Sequence, residues 1–248
     1  MRILLTIEYD GKNFNGWQIQ PGLRTVQGTL KDALEEIFGQ EISLQGSGRT
    51  DAGVHALGQK AHFDIEKCPI TMARLPLAVN VKLPDDVSVV AAEEVPDTLE
   101  AQYSAKRKTY RYDFYLSRID RPLWNRAAQV KYSPQKFDVS LAKKALLKLV
   151  GTHDFKAFSS TGRPTPDTTR TIFDAHLEKN GDYYSLFITG NGFLYNMVRI
   201  IAGTVVEIAL SLRPLSDIDD AFATGNRLKC GKTYPPQGLT LLSVEYKE

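Results

Sequence analysis

The stretch Gly46-Ser47-Gly48-Arg49-Thr50-Asp51-Ala52-Gly53-Val54-His55-Ala56-Leu57-Gly58 is the most informative segment of this chain. Its four glycines mark a backbone that bends sharply or lets another molecule approach closely. The residues that follow, 59–65, alternate between polar and apolar side chains and predict a strand. An acid beside a cation in such a loop, Asp51 beside Arg49, is a candidate catalytic carboxylate. The same residues are compatible with a structural role, in which Asp51 closes an Asx-turn and Arg49 forms a surface ion pair.

The composition is that of an ordinary globular protein. The chain has 248 residues, 42% hydrophobic and 24% charged, which suffices for one large domain or two modest ones. Cys68 and Cys230 are too few and too far apart for a disulfide framework or a thiolate metal site, and they fit a reducing compartment. The first residues become acidic too soon for a signal peptide. We therefore expect a soluble, cytoplasmic protein without a membrane segment.

Hydrophobic periodicity predicts alternating strands and helices along the chain. The predicted strands cover residues 3–9, 41–45, 59–65, 87–95, 109–116, 170–178, 183–190 and 239–246. The predicted helices cover residues 26–38, 71–82, 140–150, 194–211 and 216–224. Thr25 is the expected N-cap of the first helix and Gly39 its end, and a polar loop leads up to Thr169.

This order predicts an α+β protein with two halves, each an antiparallel or mixed sheet with helices on one face. The N-terminal half, residues 1–103, carries the Asp51 loop. The C-terminal half, residues 104–248, carries an aromatic and basic strand and a long apolar helix.

Positive charge is concentrated in residues 104–131, which hold eight basic and two acidic residues, whereas the whole chain carries only +2. Such a patch suits a polyanion, although a solvated basic face explains the charge equally well. Within it, Tyr110-Arg111-Tyr112 follows Lys106-Arg107-Lys108 closely, which combines stacking faces with phosphate-binding charge, as in readers of single-stranded RNA. An aromatic core between strands accounts for Tyr112 at least as well.

Arg199 lies in the predicted helix 194–211, which is apolar on nearly every side and therefore packed inside the protein. Burying a guanidinium there costs free energy unless a carboxylate pairs with it. Its neighbours one turn away are not acidic, and Glu207 lies about 12 Å along the axis. A partner from elsewhere in the chain is needed, and Asp51 is a candidate. In the alternative, Arg199 points to solvent along a polar stripe of the helix.

Other chemistries find little support in the sequence. The four histidines are scattered without metal-ligand spacing, and no nucleotide, hydrolase or deaminase motif is present, so neither a metal nor a cofactor is expected. Residues 46–48 could cradle a phosphate, but no lysine follows them. The residues leave open a non-catalytic RNA-binding protein made of two α+β modules and a phosphate-binding hydrolase.

Several segments together resemble the tRNA pseudouridine synthase A family, and the likeness of residues 48–56 to that family's catalytic loop is highly specific. The similar segments are Tyr9-Asp10-Gly11, Gly16-Trp17-Gln18, Gly48–Ala56, Tyr103-Ser104-Ala105, Lys108–Tyr112, His153-Asp154-Phe155, Met197-Val198-Arg199 and Gly238–Leu241. They extend over residues 9–241, nearly the whole chain. Gln102 departs from the Phe or His that the family often carries there, which affects packing near the cleft.

The resemblance implies two related α+β halves with the active cleft between them. It implies that Asp51 is the catalytic carboxylate, that Tyr110 stacks on the target base and that Arg199 pairs with Asp51. It also implies a homodimer that acts on uridines on the 3′ side of the tRNA anticodon arm, without cofactor or metal.

The chemistry of pseudouridine formation fits these residues. The N1–C1′ bond breaks, the base turns, and C5 is joined to C1′. The target nucleotide must leave the stack, and we expect Arg49 to fill the gap or hold the backbone, while Lys106, Arg107 and Lys108 bind the tRNA. Asp51 could attack C1′ or C6, or take a ribose proton, and either Tyr110 or Asp51 could deprotonate C5.

Overall fold

A computed structural model describes residues 1–162 and 165–246. The strands are β1 (Arg2–Tyr9), β2 (Gln45–Gly46), β3 (His55–Asp64), β4 (Val87–Val95), β5 (Arg107–Leu116), β6 (Ala128–Val130), β7 (Gly151–Asp154), β8 (Thr169–Asn180), β9 (Tyr183–Gly190) and β10 (Leu239–Glu245). The α-helices are α1 (Val26–Phe38), α2 (Leu75–Asn80), α3 (Val139–Leu147), α4 (Met197–Ala209) and α5 (Asp217–Thr224). The predicted α+β class is confirmed.

The chain forms two compact units. The first comprises Met1–Lys106 together with the C-terminal residues from Thr240 onward, and the second comprises Arg107–Leu239. The sequence places the last strand in the second half, whereas the structure groups it with the first unit. The reason is that β10 pairs in parallel with β3, with Thr240 opposite His55. Such a pairing between distant segments leaves no trace in local periodicity.

The sheet of the first unit is mixed. Strand β1 runs antiparallel to both β3 and β4, and β2 pairs antiparallel with β3, whereas β10 is parallel to β3. Helix α1 begins where the Thr25 hydroxyl accepts a hydrogen bond from the Gly28 N–H (3.3 Å) and ends at Gly39, whose φ is 65°. Its Phe38 ring lies 5.8 Å from that of Phe63 on β3, which packs the helix against the sheet.

The second unit contains an antiparallel run of four strands, β5-β9-β8-β7, with β6 added in parallel to β5. Helix α4 is buried along almost its whole length, as predicted for so apolar a segment, and α3 packs on it. The aromatic core predicted for Tyr112 is present, because Tyr112, Phe114 and Tyr184 are almost fully buried.

Element boundaries differ from prediction where tertiary contacts decide them. Strand β3 begins at His55, four residues before its predicted start, because β10 extends the pairing there. Strands β6 and β7 were not predicted, since each is short and depends on a longer neighbour. Strand β2 covers only residues 45–46, and α2 is shorter than predicted, with Pro76 in its first turn. Of the predicted polar loop up to Thr169, residues 163 and 164 lie outside the described residues.

Within the described part of the chain, every helix is too short or too polar to cross a membrane.

Candidate active site

Asp51 is half-buried in the loop of residues 47–54 that leads into β3, here called the Asp51 loop. The Val54 N–H donates to the Asp51 carbonyl (3.1 Å) and closes a turn in which Gly53 has a φ of 79°. The carbonyl of Thr50 accepts a hydrogen bond from the Trp17 N–H (3.1 Å). The backbone on both sides of Asp51 is therefore fixed.

Buried polar side chains form hydrogen bonds that hold the Asp51 loop in place. The Thr50 hydroxyl lies 2.8 Å from the hydroxyl of Tyr9, and burial raises the pKa of Tyr9 far above its usual range, so this group stays neutral. The Ser47 hydroxyl donates to the Gln59 amide oxygen (2.7 Å), and the Gln59 amide NH₂ donates to the Gly48 carbonyl (3.0 Å). These bonds satisfy groups whose burial would otherwise be costly.

The glycine-rich start of the segment faces inward. Ser47 is fully buried, and a Cβ on Gly46 would lie 2.5 Å from the Trp17 ring. A phosphate cradle would need these backbone N–H groups to be accessible. The alternative of a phosphate site at residues 46–48 is therefore not supported.

The turn after β1 packs closely against the end of the Asp51 loop. A Cβ on Gly11 would lie 2.0 Å from the Val54 carbonyl oxygen, so only glycine fits there. The Gly11 N–H donates to Nδ1 of His55 (3.1 Å), which also lies 3.0 Å from an Asp10 carboxylate oxygen. His55 is thus a buried structural side chain, and the described residues contain no group of three or more potential metal-ligating side chains placed to hold an ion.

Arg49 is exposed on the Asp51 loop, two residues before the carboxylate. Among the described residues its side chain has no ion pair, contrary to the surface ion pair of the structural alternative. Its guanidinium is therefore available to a ligand.

Strand β5 divides the predicted basic and aromatic cluster between two faces of the sheet. Side chains alternate along a strand, so Lys108 and Tyr110 share a face with the buried Tyr112, whereas Arg107 and Arg111 lie on the opposite face. The half-buried Tyr110 ring meets Phe193 edge-on at 5.0 Å. The cluster is therefore not a single surface, as its sequence proximity suggests.

The three neighbouring cations differ in environment. Lys106 and Arg107 are exposed, and the Arg107 guanidinium lies 4.7 Å from the Phe173 ring centre. Lys108 is half-buried, and its desolvation, assisted by the positive charge of Arg170, lowers its pKa from 10.5 to about 8. The charge of Lys108 is therefore sensitive to pH under ordinary assay conditions.

Arg199 occupies the first turn of α4 and is half-buried rather than directed along a solvated stripe. Its Nε donates to the Tyr234 carbonyl (2.7 Å) and its Nη1 to the Asn196 amide oxygen (2.6 Å). Glu207 is engaged elsewhere and accepts from Arg213 (3.3 Å). This confirms the expectation from the sequence that Glu207 does not form an ion pair with Arg199.

Close backbone contact brings the Tyr234 carbonyl to Arg199. A Cβ on Gly203 of α4 would lie 2.0 Å from the Lys232 carbonyl oxygen, so the segment 230–235 crosses the helix at a glycine. The Tyr112 hydroxyl donates to the Pro235 carbonyl (2.8 Å) and holds the segment from β5. The sequence does not indicate a role for Tyr234, whose carbonyl comes from a distant segment, or for Asn196, whose amide is held by the distant Ser160.

The chain is similar to one protein family and to several relatives over nearly its whole length. The model of the family described as tRNA pseudouridine synthase matches residues 5–104 and 145–247. The tRNA pseudouridine synthase A of Caldicellulosiruptor saccharolyticus is 46% identical over 98% of this chain and 99% of the relative. Those of Caldicellulosiruptor bescii and Thermoanaerobacter sp. are 44% and 42% identical, each over 98% of this chain and 99% of the relative.

Among solved structures, a chain of a Cbf5-Nop10-Gar1 complex aligns with 96% of this chain and 57% of its own length. Its TM-score of 0.36 and identity of 10% are too low to support an argument.

On the α+β framework described above, these matches define an RNA-modifying enzyme of the isomerase class. The chain belongs to the tRNA pseudouridine synthase family. This membership favours the enzyme over both the non-catalytic RNA-binding protein and the hydrolase.

Proposed function

We propose that this protein isomerises uridine to pseudouridine on the 3′ side of the tRNA anticodon arm, with Asp51 as its catalytic carboxylate. The observation that carries the proposal is the fixed backbone around Asp51, held by Trp17, Val54 and the buried Tyr9–Thr50 pair. A carboxylate on a backbone held in this way meets a flipped nucleotide without further ordering, which lowers the entropic part of the barrier.

Arg199 is the proposed partner of Asp51. The Tyr234 carbonyl and the Asn196 amide accept hydrogen bonds from its guanidinium and orient it. A guanidinium paired with Asp51 favours the ionised form of the carboxylate. Arg199 thereby keeps Asp51 in the form that attacks C1′ or C6 of the target nucleotide or takes a ribose proton.

Tyr110 and the neighbouring cations are the proposed substrate contacts. The half-buried Tyr110 ring, braced by Phe193, is a rigid surface on which the target base can stack. Arg49 is exposed beside Asp51, where it can fill the gap left by the flipped base or bind the backbone. Lys106, Arg107 and Lys108 supply charge for tRNA phosphates, with Lys108 on the Tyr110 face.

The isomerisation balances without any added reagent. The N1–C1′ bond of uridine breaks and a C5–C1′ bond forms, while C5 loses a proton and N1 gains one. No electrons or water are consumed, so the reaction needs no redox cofactor. Tyr110 and Asp51 are the two candidate bases for the C5 proton.

We further propose that the protein acts in the cytoplasm as a homodimer whose two clefts, each between two related halves, share one tRNA. The two isolated cysteines fit a reducing compartment. Sedimentation at micromolar concentration tests the dimer. An active species of 27.7 kDa, the mass of one chain, would contradict it.

The catalytic proposal is tested by single-turnover conversion of unmodified tRNA with no cofactor added, followed by mapping of the modified position. Asp51→Asn keeps size and polarity but removes the charge, so it should abolish conversion while tRNA still binds. Asp85→Asn, at an exposed carboxylate of the same unit, serves as the control and should be as active as the wild type. Appreciable activity in Asp51→Asn, or modification confined to another arm of the tRNA, would contradict the proposal.

Arg199→Lys tests the proposed partner. Because a point charge cannot reproduce the planar fork of a guanidinium, this variant should lose at least about tenfold in single-turnover rate. A rate equal to that of the wild type would remove Arg199 from the machinery and leave the role of Asp51 untouched.

A further inference from the structure

We propose that Asn196 is a positioning residue for the reaction, because its side-chain amide orients the Arg199 guanidinium and is itself held by Ser160. This inference rests on the proposed role of Arg199. It adds a residue that does not touch the substrate and acts through the guanidinium.

The backbone of Asn196 is the first observation. Asn196 has φ 61° and ψ 6°, and besides Ser211 it is the only non-glycine residue with positive φ in the described ranges. This left-handed conformation is unfavourable for most side chains, although asparagine tolerates it better than others. Such conformations persist where the surrounding contacts compensate for their cost, and they cluster at functional sites.

The side chain of Asn196 is not used to cap the helix that follows. Residues before a helix usually accept hydrogen bonds from its first N–H groups, but Asn196 forms no side-chain cap bond with α4. Helix capping therefore does not account for an amide at this position.

Both ends of the Asn196 amide are engaged instead by side chains. The amide oxygen accepts from Nη1 of Arg199 (2.6 Å), and the amide NH₂ donates to the Ser160 hydroxyl (3.0 Å). The Ser160 N–H in turn donates to the Tyr195 carbonyl (3.1 Å), which holds the serine beside the start of α4. The bond to Ser160 prevents rotation of the amide, so the acceptor for Arg199 keeps its direction.

Two acceptors on different atoms define the plane of the guanidinium. The Tyr234 carbonyl binds Nε and the Asn196 amide binds Nη1. Loss of the Asn196 contact removes one of these two acceptors and loosens the direction of the guanidinium. A displacement of about 1 Å in a catalytic constellation can cost about 100-fold in rate, so loss of Asn196 should affect turnover more than substrate binding.

The first variant is Asn196→Gly, which removes the amide while allowing the left-handed backbone. Its control is Ser211→Gly, a glycine substitution at the other left-handed position, which is exposed and lies beyond the C-terminal end of α4. We expect Asn196→Gly to lower kcat at least about tenfold with KM within about twofold of the wild type, whereas Ser211→Gly keeps wild-type values. Thermal unfolding verifies that both variants are folded.

The second variant tests the outer contact. Ser160→Ala removes the hydroxyl that holds the amide and should lower kcat by a smaller factor, about two- to fivefold. In the Asn196→Gly background it should have no further effect, because the group it holds is gone. Ser159→Ala, at the adjacent hydroxyl, is the control and should leave kcat unchanged in both backgrounds.

A cycle with Arg199→Lys separates this inference from the proposed function. If Asn196 acts through the guanidinium, Asn196→Gly should cause no further loss in the Arg199→Lys background. Wild-type kcat in Asn196→Gly, an equal loss in both backgrounds, or a loss in KM alone would overturn the positioning role while Arg199 keeps its own. Full activity of Arg199→Lys would instead overturn the role of Arg199 and, with it, that of Asn196.

Discussion

The Asp51 loop and the start of α4 carry the two charged groups of the proposed site, and the described contacts of these two segments differ in kind. In the Asp51 loop, hydrogen bonds join backbone groups, such as the Thr50 carbonyl and the Trp17 N–H. The buried hydroxyls of Tyr9 and Thr50 are also in contact. At α4 the charged side chain itself is held, by the Tyr234 carbonyl and the Asn196 amide.

The difference shows where each region is sensitive. The Asp51 loop distributes its stability over several backbone bonds, so the loss of one side-chain contact leaves most of the loop in place. The Arg199 region depends on how closely the segment 230–235 approaches Gly203 of α4. A substitution that enlarges Gly203 should therefore lower the free energy of unfolding more than the loss of a single hydrogen bond in the Asp51 loop.

The largest effect is expected from Gly203→Ala. Its Cβ would lie 2.0 Å from the Lys232 carbonyl oxygen, so backbone must move. The free energy of unfolding should fall by about 3 kcal/mol, and kcat should fall because the Tyr234 carbonyl shifts away from Arg199. The control is Gly28→Ala in α1, where the nearest atom is the Thr25 hydroxyl at 3.0 Å and stability should change by about 1 kcal/mol or less. Chemical denaturation measures both, and equal losses would contradict the account.

A smaller loss is expected from Thr50→Val under the Asp51 loop. The substitution keeps the shape but removes the hydroxyl that lies 2.8 Å from the buried Tyr9 hydroxyl. The free energy of unfolding should fall by about 1–2 kcal/mol, because a buried polar group loses a partner. Thr50→Ser retains the hydroxyl and should be closer to the wild type. A loss as large as that of Gly203→Ala would show that the two regions are equally sensitive.

The division of β5 into two faces predicts that neighbouring cations contribute unequally to tRNA binding. If the RNA lies on the Tyr110 face, Lys108→Gln should flatten the dependence of log affinity on log salt by about 0.7–0.9, the value for one phosphate contact. Arg107→Gln, on the opposite face, should flatten the slope by a smaller amount. Salt titrations at pH 7, where Lys108 is mostly protonated, measure both slopes. The reverse ranking would place the RNA on the Arg107 face.

The last prediction concerns the dependence of stability on pH. Lys108 has a pKa of about 8 in the folded chain and 10.5 ordinarily, so the unfolded chain binds more protons between these values. The free energy of unfolding should therefore rise with pH from about 8 to about 10.5, because the cost of burying the ammonium is relieved. Lys108→Met removes this contribution, and the difference between the two stability curves isolates it. Parallel curves across this interval would contradict a depressed pKa.

Some features of both regions could be predicted from the sequence, and others could not. The glycines and small residues around Asp51 mark the loop because its geometry is local, and α1 with its Thr25 and Gly39 ends is local in the same sense. The buried character of α4 follows from its composition. The two faces of β5 follow from the alternation of side chains along a strand. Arg107 and Lys108 are therefore neighbours in sequence but lie on opposite faces.

The remaining features depend on partners distant in the chain or on a backbone conformation that the residue type does not reveal. Strand β10 joins the first unit through pairing with residues near His55, and no local pattern indicates that choice. Asn196 could not be identified because its significance comes from a left-handed backbone and from contacts with Ser160 and Arg199. Tyr234 acts through its carbonyl, so its residue type carries no signal.

The proposed pairing of Asp51 with Arg199 can be tested by a stability cycle that does not require activity. The free energy of unfolding is measured for the wild type, Asp51→Asn, Arg199→Gln and the double variant. If the two side chains form an ion pair, the effects of the two substitutions should be coupled by at least about 1 kcal/mol. Either single substitution leaves one charge without its partner, whereas the double substitution removes both charges. Additivity within about 0.5 kcal/mol would show that the two side chains do not interact and would contradict the account.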